Sequence, residues 1–388
     1  MLIEIRKAGF VNKGAELMLY AVLEKMKEAY PDADFVIAPY YRGARTVNYL
    51  KRAELGFFQK ASFWAFGLQW GDFAVFLPKI IREMYGIVLD KEIDIVIDIA
   101  GFAYGDQWKI RSTKELAHSC RRWYKRGTRV ILLPQALGPF SSPQLRKLIK
   151  GVADNVDLIF SRDPISYKHL IDATGERPNI KMAPDFTNLL NGIVPEYFDT
   201  ENNQFCLVPN DQMVSKTSEE ESKAYKPFMI TCAKYLLEND QKPFILIHEA
   251  AKDKILAQEI ADGVGGDIQI IQENHPLKIK GILGTCGGTI SSRFHGLVSA
   301  LSQGVPSLGT GWSHKYKMLF QDYGFDDGLM NILATEEEIR KKIDLIINPQ
   351  SRKQIQSTIT SKSEELKKKS EDMWAGVFKT LGTSEKTV

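Results

Sequence analysis

Arg293 and His295, followed one helix and one strand later by His314 and Lys315, are the residues of this 388-residue chain whose types and spacing best suit chemistry. They lie in the stretch 288–320. A short β-like run ends in Ser291-Ser292-Arg293, and His295-Gly296 opens an apolar helical segment. A Gly-Val-Pro strand start and a Gly-rich loop carrying His314 and Lys315 follow. Two cationic or titratable clusters thus occupy successive strand-to-helix junctions, where helix N-termini collect anions. The chemistry is that of an anion-handling site in an α/β protein.

The elements that must position such a site alternate along the whole chain. Residues 2–5 and 35–38 read as strands around a helical pattern at 15–29 (Leu17, Leu19, Val22, Leu23, Met26). The loop at 9–14 lacks GxGxxG, so a dinucleotide fingerprint is not supported. IDIVIDI at 93–99 is a strongly β-branched strand, followed by a helix over 112–126 and strands at 129–133, 157–160 and 180–183. The informative loops, 100–106, 134–139, Ser161-Arg162-Asp163-Pro164 and Pro184-Asp185, each follow a strand, at the edge where open α/β sheets bind ligands. Residues 188–203 lose periodicity and gain turn formers, which marks an interdomain linker. Alternation restarts at 205–208, continues through a strand at 243–248, and ends in a helix over 352–381. The expected fold is α/β, with two doubly wound Rossmann-like domains in a GT-B-like arrangement around an interdomain cleft. The domains span 1–190, with an aromatic helical insertion at 45–90, and 200–350. A C-terminal helix within 351–388 is expected to pack back on the first domain.

Length and composition agree with two domains. A net charge of +3 is too small to argue for nucleic acid. Cys120, Cys206, Cys232 and Cys286 are widely spaced, which predicts reduced, buried thiols. The N-terminus lacks the apolar region of a signal peptide, so a cytoplasmic protein is expected. Asp94 and Asp98 have no neighbouring His, and no metal requirement is supported. In residues 55–88, Phe57, Phe58, Phe63, Trp64, Phe66, Trp70, Phe73 and Phe76 crowd together between basic residues. Charge and glycine interrupt the stretch too often for a span of roughly 20 apolar residues. It is either an interfacial helical pair making a peripheral membrane contact at the inner face or an insertion packed on its own domain.

The segment 291–320 resembles the Ser-x-Arg-x-His helix, Gly-Val-Pro strand and loop-borne Lys of the polysaccharide pyruvyl transferase family. Asn12-x-Gly14-x-Glu16, Gln135-x-x-Gly138-Pro139, Ser161-Arg162-Asp163-x-x-Ser166 and Pro184-Asp185 extend the resemblance from the first loop to about residue 325. It implies transfer of a pyruvyl group from phosphoenolpyruvate to two sugar hydroxyls of a cell-surface polysaccharide precursor, giving a pyruvate ketal and phosphate. The acceptor would be lipid-linked or nucleotide-linked, and no cofactor beyond the donor is implied.

Holding phosphoenolpyruvate requires guanidinium forks, an ammonium and helix-terminal N–H groups, for which Arg293, Arg162 and Lys315 are the candidates. Protonation of the donor's methylene carbon needs a group titrating near neutrality. His295 is the first choice and His314 the second. Asn12, Gly14, Gln135, Ser292 and His248 join the expected substrate-binding set, and Asp163 or Asp185 would orient a base or bind acceptor hydroxyls. Several of these residues have a plainer alternative. His295 could cap its helix, Arg293 could pair with a carboxylate, Arg162-Asp163 could be a structural ion pair, and His248-Glu249 an edge pair. Two rival functions share the fold: a GT-B glycosyltransferase using a nucleotide sugar, and a catalytically inactive glycan- or membrane-binding relative.

Overall fold

The computed structural model describes residues 1–39, 45–65, 68–248, 251–266, 268–311 and 313–382. The chain forms two compact units. One comprises Met1–Val11, Met18–Phe186 and Lys369–Val388, the other Asn12–Leu17 and Thr187–Lys368.

In chain order the first unit is drawn from β1 (Leu2–Arg6), α1 (Lys13–Ala29), β2 (Asp34–Ile37), α2 (Arg45–Glu54), β3 (Phe58–Lys60), β4 (Trp64–Ala65), β5 (Leu68–Gln69), α3 (Lys79–Met84) and β6 (Ile87–Val88). It continues through β7 (Ile95–Asp98), α4 (Lys109–Arg126), β8 (Arg129–Gln135), α5 (Pro143–Ala153), β9 (Leu158–Ser161), α6 (Pro164–Thr174) and β10 (Ile180–Met182). Eight strands make a parallel sheet in the order β10-β9-β8-β7-β1-β2-β3-β6. The sequence runs outward from β1 through β2, β3 and β6, then returns to β7 on the other side of β1. That reversal is a topological switch point. β7 and β8 are buried along nearly their whole length, as parallel strands covered on both faces must be. This is why β-branched runs such as Ile95–Asp98 were readable.

Residues 55–88 depart from the expected helical pair. Their described part contains β3 and β6, which join the large sheet, the antiparallel pair β4-β5, a 3₁₀ turn at Trp70–Phe76 and the six-residue α3. Pro78 caps α3, and Gly86, at φ +60°, ends its run. Neither residue suits the interior of a helix. Phe66 lies outside the described residues.

The second unit holds β11 (Phe205–Val208), α7 (Gln212–Ser215), α8 (Glu219–Glu238), β12 (Pro243–Ile247), α9 (Ala251–Val264), β13 (Gln269–Gln272), α10 (Pro276–Thr285) and β14 (Gly288–Ser291). After these come α11 (Phe294–Leu301), β15 (Ser307–Gly309), α12 (His314–Asp322), α13 (Glu336–Ile347) and the first part of α14 (Pro349–Leu381). Its sheet is parallel in the order β13-β12-β11-β14-β15. Ile359 and Leu366 of α14 enter this unit's core. Beyond residue 368 the helix belongs to the first unit, where Trp374 meets Phe186 edge to face. The expected linker is mostly exposed but anchored: Phe198 is buried against Phe244, and the Ile193 amide donates to the Leu277 carbonyl. Phe198 is the apolar anchor, while the Ile193 side chain is exposed. All four cysteines are buried and unbridged.

Candidate active site

The second unit's site grows from the carboxyl ends of β11, β12 and β14 and from the amino ends of α11 and α1. β14 stops at Ser291, and its hydroxyl accepts from the Arg293 amide at 3.1 Å, turning the chain into α11. Ser292, expected to bind substrate, has a different place. Its hydroxyl accepts from Tyr225 at 2.7 Å, and its carbonyl accepts from Asn210 at 2.8 Å and Tyr316 at 3.0 Å. At 1% exposure its side chain helps to fix the turn. That turn presents Arg293 and His295 at the helix start.

Arg293 is buried and donates to Asp253 of α9 at 2.5 Å. Asp253 also accepts the Asp211 amide at 3.0 Å, so the carboxylate is itself anchored. His295 is half-buried, packs edge to face on Phe294, and lies against Gly14. A Cβ on Gly14 would fall 2.2 Å from the imidazole Nδ1, so only glycine fits. Asn12 carries that turn: its side-chain carbonyl accepts the Ala15 amide at 3.1 Å, an N-cap contact. Lys13 pairs with buried Glu16 at 2.6 Å.

His248 follows β12, an interior strand of its sheet. Glu249 lies outside the described residues. Burial first, then the positive charges of Arg293, His295 and Lys13, push the His248 pKa well below the ordinary histidine range. His248 is therefore a neutral imidazole facing three groups that carry or can carry positive charge. Arg293 and Lys13 are each paired with a carboxylate, so what the site adds for a compact anion is the two helix starts and His295.

His314 and Lys315 form the first turn of α12, not a Gly-rich loop. Ser313 supplies the turn's extended N-cap position. The Lys315 ammonium stands 5.0 Å from the Phe294 ring centroid and 5.5 Å from that of Tyr316. This cation–π placement sets the ammonium beside the residue that precedes His295.

The first unit positions the remaining expected residues. Arg162 and Asp185 form a buried ion pair at 3.1 Å. Asp163 caps α6, accepting the Ser166 amide at 2.8 Å and its hydroxyl at 2.7 Å. Arg162 thus pairs with Asp185 rather than with its neighbour Asp163, which serves as a helix cap. Gln135 is fully buried at the end of β8 and donates weakly to Asp98 at 3.4 Å.

The family described as polysaccharide pyruvyl transferase matches residues 12–314, more than half of the chain. The chain belongs to the polysaccharide pyruvyl transferase family. No curated protein matches it. Among solved structures, UDP-GlcNAc 2-epimerase from Neisseria meningitidis, bound to UDP-GlcNAc, is similar at TM-score 0.60 and 10% identity, over 98% of this chain and 100% of that one. Anabaena Alr3699/HepE in complex with UDP-glucose is similar at TM-score 0.58 and 15% identity, over 99% and 100%. Identities this low show the fold alone, which is of the GT-B type.

In this polysaccharide pyruvyl transferase family member, three participants escaped the sequence reading: Asp253, Tyr225 and Lys13. Asp253 sits in a charged helical pattern among several acids, and nothing in its neighbours marks it as the partner of Arg293. Lys13 stands inside the Asn12-x-Gly14 motif, which was the one available signal.

Proposed function

We propose that the protein transfers a pyruvyl group from phosphoenolpyruvate to two hydroxyls of a sugar in a cell-surface polysaccharide precursor, forming a ketal and releasing phosphate. What carries the reading is the gathering of Gly14, His248, Arg293 and His295 in one unit, inside the family-matched stretch. Arg293 and Lys315 hold the donor's carboxylate and phosphate. His295 delivers a proton to the methylene carbon, which becomes the methyl group, and C2 takes on oxocarbenium character. A sugar hydroxyl attacks C2 and loses its proton. The C2–O bond to phosphate then breaks, and the second hydroxyl closes the ketal with loss of its own proton. Neutral His248 can accept a hydrogen bond from a sugar hydroxyl but resists taking the proton itself; His295, having given its proton to the donor, takes one of the hydroxyl protons. The test is phosphate release from phosphoenolpyruvate that depends on a glycan acceptor. Turnover by His295→Ala within threefold of wild type would refute the assigned role.

The acceptor is lipid-linked and the protein works at the cytoplasmic face of a membrane. Supporting this, Trp70, Phe73, Phe76, Leu77, Ile80 and Met84 are 41–79% exposed within one short stretch. Exposed apolar clusters of this kind mark interaction surfaces. Among the described residues no helix is long and apolar enough to cross a membrane.

A second reading, a nucleotide-sugar site, is favoured by the UDP-sugars in the two similar structures. Thermal shift separates the readings. A ligand at about 100 Kd adds roughly 2.7 kcal/mol of stability, so the larger shift, with phosphoenolpyruvate or with a UDP-sugar, identifies the donor.

A further inference from the structure

A cavity of about 630 Å³ lies wholly within the first unit, outside the carboxyl ends of β1, β2 and β3 and beside the amino-terminal turns of α4. Its size is that of a small-molecule site, and it abuts β1, at the switch point of the sheet. Trp108, Arg111, Ser112, Glu115 and Ser119 line it at helical spacing, as one face of α4 and its lead-in.

Lys7 lines the cavity from the end of β1. It follows the last residue of β1 and has φ +64°, a left-handed conformation that a residue with a Cβ adopts only when its surroundings impose it. Its ammonium is 3.4 Å from Glu115, and its side chain keeps 37% of its exposure, so a ligand in the cavity can reach it. Glu115 is already engaged by Arg6, which also donates to Asp98 at 2.5 Å. Burial and the Arg6 charge together outweigh Glu115 and hold the Lys7 pKa below the ordinary lysine range. An ammonium in that position gains from an added anion. Lys60, another cation of the cavity, is satisfied by Glu4 at 2.5 Å and Asp90 at 2.8 Å. Ser62 and Gln69, bonded to each other at 2.9 Å, offer groups for sugar hydroxyls, and half-buried Trp108 offers an apolar face.

We propose that this cavity binds an anionic sugar of the acceptor, with Lys7 and Arg111 receiving its carboxylate or phosphoryl oxygens. Calling that sugar the acceptor rests on the pyruvyl-transfer reading; the binding site itself does not. The experiment is calorimetric titration of the full chain with glucuronate, glucose 1-phosphate and glucose. One or both charged sugars should bind at least tenfold more tightly than glucose, and the tighter of the two identifies the oxyanion. Lys7→Gln should weaken that binding at least tenfold. Lys7→Gly should weaken it equally while melting no lower than wild type, because glycine accepts the left-handed backbone. That separates ligand contact from folding. Equal binding of glucose, or Lys7→Gln binding as wild type does, would overturn the site. Displacement of the charged sugar by saturating phosphoenolpyruvate would make the cavity donor-binding and overturn the acceptor assignment. Acceptor-dependent phosphate release tests the transfer reading separately. Its absence alongside intact, Lys7-dependent sugar binding would sink that reading alone.

Discussion

Gly14 and His295 meet at a distance that admits no side chain on the glycine: a Cβ there would stand 2.2 Å from Nδ1 and 2.7 Å from Cγ of the imidazole. The contact ties the first turn of α1 to the first turn of α11. It also sets where the ring rests.

Gly14→Ala should therefore displace His295 rather than merely crowd it. Misplacing a reacting group by about 1 Å can cost roughly 100-fold in rate, and acceptor-dependent phosphate release should fall by about that factor. Far-UV circular dichroism should stay that of the wild type. Activity within threefold of wild type would show that the ring's position is not what the glycine protects.

The Arg293–Asp253 pair is buried on both sides. Removing one partner strands the other, at a cost of about 3–5 kcal/mol. Asp253→Ala should lower the unfolding free energy in urea by that amount, and Asp253→Asn, which keeps a hydrogen-bond acceptor, by less. A loss below about 1 kcal/mol for Asp253→Ala would mean that the guanidinium finds solvent or another carboxylate.

His248 gives a pH signature. Its folded pKa is depressed, so on acidification the unfolded chain takes up this proton first. Stability from this group is complete above the unfolded value of about 6.5 and declines as pH falls below it, by about 1.4 kcal/mol per unit. Wild type minus His248→Gln, measured by denaturation between pH 7 and 5, should show that slope. Asp90 and Glu115, held down to about 2, act in a lower window. They keep their contribution until pH falls below the ordinary carboxylate range. His118, also held low by burial and Arg122, slopes in the same sense but cancels in the difference. Equal profiles for the two proteins would exclude the neutral buried imidazole.

Phe73→Ser with Phe76→Ser should reduce co-sedimentation with anionic vesicles at least fivefold and leave the melting temperature unchanged, since the two rings are 61% and 79% exposed. Undiminished sedimentation would remove the membrane contact.

What the sequence disclosed follows from the range of the physics involved. Ile95–Asp98 and Phe294–Leu301 are short and buried at nearly every position, and β-branched composition in the first and continuous apolar character in the second reveal them. His314 was misplaced because Gly309 and Gly311 read as loop, whereas Ser313 in an extended N-cap conformation already starts α12. Strands β3 to β6 have two or three residues each, too few to show a period of two. Asp253 joins Arg293 across 40 residues, and Lys7 is marked only by its φ. Neither relation exists in local composition.

The turn that holds Gly14 groups with residues beyond Thr187, although the chain reaches it within its first dozen or so positions. During synthesis that turn emerges early and must wait, its partner unmade, until almost three quarters of the polypeptide has followed. The second unit is thus not a contiguous stretch of gene. A fragment cut at Thr187 would carry His295 without the glycine it rests on, and a rearranged gene that kept the unit whole would have to bring the first loop with it.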